Sequence, residues 1–327
     1  MYRFVDVIPK KEINNSLSEL FEVRRRIAEK NNEPFVFHSP EELAREYYNE
    51  HNSPERGLRG IIYNNSDIAG YYHFVTASPN MTREKEMLQL SLLEEEWNDE
   101  LIDALKEKSA LYTLDSDGIY IIAPDSVTEG IAKAMSGKMY SENIHFFLAN
   151  DAFNEEYAEE VLERVPDENP DISMKFFEMV SKEFVREYAE LFTNLICGSD
   201  EDSESEYISE EEIMLYNEQA VNMGGTIYIY LLFNPKDDII GMTNVFVPAR
   251  KLPAKLYQFM TGIRKDYRGR KLAHWLKVKM IEKLKEDFPD FVYIVTENHP
   301  NNKAIIRINE KMGFKRKFSS RIYRVEL

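Results

Sequence analysis

Apolar positions in the second half of the chain switch repeatedly between helical and strand spacing. Residues 173–196 carry apolar side chains at helical period, an acidic stretch follows, and a second helical segment runs near 209–222. TIYIYLLF (226–233), DIIGMTNVFV (238–247) and KLYQFMTGI (255–263) read as strands. The polar turn FNPKDD makes a hairpin of the first two. Over 269–286, Leu272, Leu276, Met280 and Leu284 recur every four residues, which predicts a helix that Pro289 ends. FVYIVT (291–296) predicts a short buried strand. Pro300 then opens a helix whose apolar face is Ile305, Ile308 and Met312, with Asn298 as its cap and Gly313 past its end. KRKFSSRIYRVEL predicts a closing strand.

The first half repeats this order. Helices are expected at 16–30, 39–50, 97–109 and 126–135, and strands at 58–64, 67–77, 86–93, 118–123 and 139–148. The halves are offset by about 170 residues, and Asp67-Ile68-Ala69-Gly70 echoes Asp238-Ile239-Ile240-Gly241. Duplication is the reading this favours; one large α/β domain with coincidental order is the alternative. Two domains are expected, 1–152 and 173–327, with the linker where VPDENPD breaks the pattern.

Composition narrows the class. A chain of 327 residues with 43% hydrophobic composition can bury a sizeable core, and its length favours two domains. The net charge of -17 argues against nucleic acid as a partner. One cysteine, Cys197, rules out an intrachain disulfide. The start lacks the apolar run of a signal peptide, and no apolar stretch is long enough to span a membrane. No HExxH or Cys/His cluster suggests a metal. A cytoplasmic protein, monomer or homodimer, is expected.

Candidate chemistry concentrates in one loop. Between strand 255–263 and helix 269–286 lies Arg264-Lys265-Asp266-Tyr267-Arg268-Gly269-Arg270-Lys271-Leu272-Ala273. A strand that feeds a glycine-containing turn and then a helix start is suited to an anion, because the first helical N–H groups have no intrahelical acceptor and the helix dipole favours negative charge there. From Arg250 to Lys285 there are twelve Lys or Arg and two acidic residues, on a protein that is acidic elsewhere. A polyanion site explains this better than a solvated helix face.

At these residues the sequence resembles the GNAT acyltransferases. Their acyl-CoA loop reads Arg/Gln-x-x-Gly-x-Gly/Ala after a strand ending in Val or Ile. Ile263 and Arg268-Gly269-Arg270-Lys271-Leu272-Ala273 stand in those places, with Lys271 where the family has its middle glycine. Thr296-x-Asn298, Asn302 and Ile308-Asn309-x-x-Met312-Gly313-Phe314 are similar to the family's next strand and helix, in the form seen in tandem mycothiol-synthase-type proteins. The resemblance implies an α/β (α+β) fold of two tandem GNAT-like domains, each a mixed, largely antiparallel sheet flanked by helices. It implies acetyl-CoA bound through Thr261, Gly262, Ile263, Arg268, Gly269, Arg270, Lys271, Leu272, Ala273, Asn298, Asn302 and Asn309. The expected activity is direct transfer of an acetyl group to a small amine in a ternary complex, a cationic acceptor being one option. The first half has Glu94-Glu95-Glu96-Trp97 after its strand 87–93, so its own cofactor binding is expected to be lost.

Two of the family's usual proton-transfer groups are missing. Strand 255–263 has no carboxylate, and the family's tyrosine four residues before the glycine of Gly-Phe is Asn309. Tyr257, Glu297 and Tyr323 are the substitutes available. Their absence from the usual places keeps open a second reading, a catalytically inactive CoA-binding sensor. The acidic run Asp200–Glu206 and Glu210-Glu211-Glu212 suits attraction of a cationic amine, or is a solvated loop.

Overall fold

The computed structural model describes residues 1–10, 12–31, 35, 39–51, 57–76, 86–93, 97–113, 118–197, 208–222, 224–248 and 255–327. The chain divides into two units, Met1–Ile144 with Phe318–Leu327, and His145–Lys317. Each is a mixed, largely antiparallel sheet flanked by helices.

Unit 1 contains β1 (Tyr2–Asp6), α1 (Asn15–Lys30), α2 (Pro40–His51), β2 (Gly57–Asn64), β3 (Asp67–Thr76), β4 (Glu86–Leu92), α3 (Asp99–Tyr112), β5 (Gly118–Ala123), α4 (Ser126–Ala134) and the start of β6 (Lys138–Ala149). β1 to β4 pair antiparallel in sequence order, and β4 and β5 run parallel. Strand alternation sends adjacent residues to opposite faces. Ile61 packs with Leu17, Leu20 and Leu43 of α1 and α2, whereas Ile62 packs with Leu101 and Leu105 of α3. The Asn14 side chain caps α1 by accepting from the N–H of Leu17 at 2.9 Å.

Unit 2 contains α5 (Glu155–Glu168), β7 (Ser173–Glu178), α6 (Val185–Cys197), α7 (Glu210–Asn222), β8 (Thr226–Phe233), β9 (Ile239–Val247), β10 (Lys255–Ile263), α8 (Leu272–Asp287), β11 (Tyr293–Asn298) and α9 (Lys303–Met312). β7 to β10 pair antiparallel, and β10 and β11 are parallel. β9 is buried along almost its whole length, which is why its sequence lacks a polar alternation. The β8–β9 hairpin is closed by Asn234, whose Oδ1 accepts from the N–H groups of Lys236 and Asp238. On α8, Leu272, Leu276, Met280 and Leu284 are all buried, as their four-residue spacing predicts.

The division differs from the expected one at both ends. The closing strand is β12 (Lys315–Glu326), but from Phe318 onward it belongs to unit 1, where Tyr323 pairs with Ile121 and Val325 with Ile119 of β5. Residues 152–172 are largely helix, not linker. Ala158, Val161 and Val165 of α5 are buried, and Pro166 is accommodated in its last turns. Residues 173–178, read as helix, form β7 instead. Phe176 packs between Tyr228 and Tyr230 of β8, a cross-strand arrangement that a helical reading of this short segment conceals. β1 was not anticipated either. Asn302, rather than Asn298, caps α9, accepting from the N–H of Ile305.

Candidate functional site

The parallel pairing of β10 and β11 stops early. Lys255, Leu256 and Tyr257 face Tyr293, Ile294 and Val295; beyond them no register joins the two strands. Where the strands part, β10 also carries a bulge between Gln258 and Thr261, where its pairing to β9 slips. The fork leads into a cleft of about 620 Å³. One wall is Met260 to Ile263 of β10, the floor is Tyr267 to Gly269 and Lys271 to His274, and the far wall is formed by His299, Asn301 and Asn302 with Ala304, Ile305 and Ile308 of α9. Gly262 allows α6 to approach, since a Cβ there would lie 2.4 Å from Leu195, another lining residue.

The loop is shaped for an anion. Gly269 has φ +83° and open space where a side chain would stand. Lys271 adopts the left-handed conformation, φ 58° and ψ 14°, at the N-cap of α8, where it makes no side-chain capping bond. The position thus keeps the backbone that favours glycine, although a lysine occupies it. The first turn of α8 has no acidic residue. The N–H of His274 reaches the carbonyl of Lys271, which leaves those of Leu272 and Ala273 without an intrahelical acceptor at the cleft floor. The loop is tied to the hairpin turn by the Asn234 amide, which donates to the Tyr267 hydroxyl at 3.1 Å.

Ion pairs redistribute the basic stretch. Arg264 is held bidentate by Asp266, and Arg270 turns away to Asn169 and Asp171. Lys279, Lys283 and Lys285 pair with Glu282, Asp287 and Glu155. Among the described residues, Lys265, Arg268 and Lys271 have no carboxylate partner, and the last two line the cleft. The positive charge therefore concentrates at the helix start rather than along a helix face. His274, also a lining residue, bonds to the Tyr157 hydroxyl of α5; burial, with Lys311 and Lys271 nearby, lowers its pKa to about 4 and keeps the ring neutral.

Nine of the twelve residues expected to hold a cofactor line this cleft: Thr261, Gly262, Ile263, Arg268, Gly269, Lys271, Leu272, Ala273 and Asn302. Arg270 does not, for the reason just given. Asn298 and Asn309 bond to one another at 2.7 Å, and Asn309 is fully buried.

The three substitutes for proton transfer are scattered. Tyr257 lies on β10 at the last paired position, its ring against Phe246. Glu297 on β11 faces His145 at 3.3 Å. That contact would raise the imidazole pKa, but burial, reinforced by Lys255, lowers it to about 4, so the ring meets the carboxylate in its neutral form. Tyr323 belongs to the core of unit 1, 3% exposed, with its hydroxyl donating to Glu129 at 3.0 Å. Glu94–Glu96 and Asp200–Glu206 lie outside the described residues. Unit 1 still shows a contrast at the equivalent helix. The start of α3 is capped by Asn98, which accepts from Leu101 N–H, and its first turn carries Asp99 and Glu100.

Sequence reading missed Lys277, which sits 1% exposed inside α8 and donates to Gln258 Oε1 at 2.6 Å. The signal was a lysine four residues from both Ala273 and Ile281 on an apolar face.

No protein-family model matches the sequence, and no curated protein matches it. Solved structures do. A tandem GNAT protein from the clavulanic acid biosynthesis pathway, solved without acetyl-CoA, superposes with a TM-score of 0.75 at 15% identity over 100% of this chain and 98% of its own. A GCN5-related N-acetyltransferase from Sphaerobacter thermophilus gives 0.63 at 13% identity, over 99% and 95%. A glucosamine N-acetyltransferase region of a fungal multi-domain β-N-acetylglucosaminidase also gives 0.63, at 10% identity, over 99% of this chain and 38% of the other. Likeness at these identities speaks for architecture alone, and the architecture of this chain is the tandem GNAT fold.

Proposed function

We propose that the protein is an N-acyltransferase that moves an acetyl group from acetyl-CoA to an amine, using the cleft of unit 2. One observation carries the reading: the free N–H groups of Leu272 and Ala273, with Arg268 and Lys271 beside them, at the mouth of the β10–β11 fork. A pyrophosphate on these groups would be held by the helix dipole and by two cations. Gly269 and the left-handed Lys271 let the backbone come close to it. The pantetheine arm would then run along the unpaired edge of β10, whose backbone groups past Tyr257 have no partner on β11. The residues present fit a CoA.

Transfer needs a neutral amine, a polarised thioester carbonyl and a proton for the departing thiolate. Asn309 stands where the family's tyrosine would protonate that thiolate, and β10 offers no carboxylate as base. Positioning of two substrates in one cleft is then the main contribution, an effect that reaches about 7–11 kcal/mol in favourable cases. This same deficit favours the second reading, a CoA-binding sensor that does not turn over. The acceptor is proposed to be a small amine, with Glu210, Glu211 and Glu212 in the first turn of α7 as the described part of the acidic region.

The test is calorimetry with CoA and acetyl-CoA, followed by release of free thiol with a panel of amines. Binding together with amine-dependent thiol release supports the acyltransferase. Binding without release on any amine supports the sensor, and no binding removes both.

A further inference from the structure

Among the described residues, Lys277 is buried without a counter-charge and its amine nitrogen has one hydrogen-bond partner, Oε1 of Gln258; it lies 5.2 Å from the centre of the Phe314 ring. Removing an unpaired ion from water costs several kcal/mol even after relaxation, and burial alone pushes this lysine down to about 7. Ala273, Ile281 and Leu284 flank it on α8, so an apolar residue would complete the row at lower cost.

What the lysine supplies is direction. Its amine donates to the oxygen of the Gln258 amide, so the amide nitrogen points the other way. That nitrogen lies 3.1 Å from the hydroxyl of Thr243 and 3.3 Å from that of Thr261. An amide N–H can only donate, so both hydroxyl oxygens accept from it. The two hydroxyls are 2.7 Å apart. Thr243 is fully buried, and among the described residues Thr261 is the one acceptor within its reach, so the Thr243 hydrogen goes to Thr261. Thr261 then accepts twice, and its own hydrogen is left over. Thr261 lines the cleft, at the end of the β10 bulge.

We propose that Lys277 and Gln258 are positioning residues that fix the Thr261 hydroxyl as a hydrogen-bond donor to the thioester carbonyl of an acyl-CoA bound in the cleft. The proposal rests on the acyltransferase reading above. As the amine nitrogen adds to the carbonyl carbon, the π pair moves to oxygen, where the Thr261 hydrogen bond strengthens. Collapse restores the carbonyl, breaks the carbon–sulfur bond and releases the CoA thiolate, and the amine's proton leaves with solvent or thiolate. No proton passes through the relay; it supplies an oriented dipole at the wall of the cleft.

The discriminating variant is Gln258→Glu. It keeps the size and gives Lys277 a buried counter-charge, but a carboxylate accepts where the amide donated, so both threonine hydroxyls turn toward it. Thr261→Val removes the hydrogen without changing the shape, and Thr261→Ser should restore it. Carbonyl-labelled acetyl-CoA bound to the native protein should show its C=O stretch shifted to lower frequency. Thr261→Val and Gln258→Glu should both abolish that shift, with CoA affinity within about twofold of native, and Thr261→Ser should retain it. With an active amine, kcat should fall at least about tenfold in the first two variants while the KM for acetyl-CoA holds. A shift that survives in Thr261→Val, or a Gln258→Glu protein that behaves as native, overturns the inference and leaves the acyltransferase reading intact. A native protein that does not bind acetyl-CoA overturns both.

Discussion

Two residues of the α8 loop share a left-handed backbone, and only one is a glycine. For a residue with a Cβ this conformation costs roughly 1–2 kcal/mol. Lys271→Gly is therefore expected to raise the unfolding free energy by about 1 kcal/mol, measured by denaturant titration. The same change should weaken CoA binding, and the loss should shrink as salt is added, because an exposed cation is being removed. A parallel gain in stability and affinity would mean that the lysine charge does not meet the phosphates. Gly269→Asp acts in the opposite sense. Its side chain would enter open space at the cleft floor and bring an anion to the phosphate position. CoA affinity should drop by at least about tenfold in a folded variant, read by calorimetry.

Within α8, one face carries both the packing and the polarity of unit 2. The pKa of Lys277 is lowered to about 7 from an ordinary value near 10.5 by burial. Between those values the unfolded chain binds a proton that the folded protein does not, so stability rises with pH across this window. Lys277→Met should therefore be more stable than the native protein at pH 7 and below, on the order of 5 kcal/mol, with the gap closing toward pH 10. Thermal unfolding of the pair at several pH values reads the difference, from which other titrating groups cancel. A gap independent of pH would mean that the lysine stays charged through a rearranged core. This face also shows what the sequence made legible. The four-residue spacing of Leu272 to Leu284 and the Arg268–Ala273 loop were plain, because both are local patterns. Lys277 was not, because its partner Gln258 is nineteen residues away and only the packing of α8 on β10 brings them together. The same holds for β7. Six residues are too few for periodicity to separate strand from helix, and pairing with β8 decided the matter. Asn309 was correctly placed on α9, but its bond to Asn298 depends on the exit angle of β11.

At the level of the whole chain, the units are not consecutive halves. α5 belongs to unit 2 and packs against α8, while Phe318–Leu327 belongs to unit 1. A fragment covering His145–Lys317 is expected to bind CoA, and one covering 173–327 is expected to be poorly soluble, since it lacks α5 and carries a strand whose partner, β5, is missing. Expression of both fragments with CoA calorimetry decides this. The intact chain should bind one CoA, given the capped, acidic start of α3 in unit 1. A stoichiometry of two would place a second site there.

The position of β12 has a consequence for how the protein is made. On the ribosome, everything that unit 2 needs has been synthesised before the last strand of unit 1 exists, since Phe318–Leu327 follows Lys317 in the chain. The second unit can therefore finish folding first, although most of the first unit was translated earlier. Until β12 arrives, β5 presents a bare edge to solvent or to a neighbouring nascent chain. Loss of Phe318–Leu327 would leave an intact cleft in unit 2 and an adhesive edge on β5, an aggregation hazard rather than a damaged site.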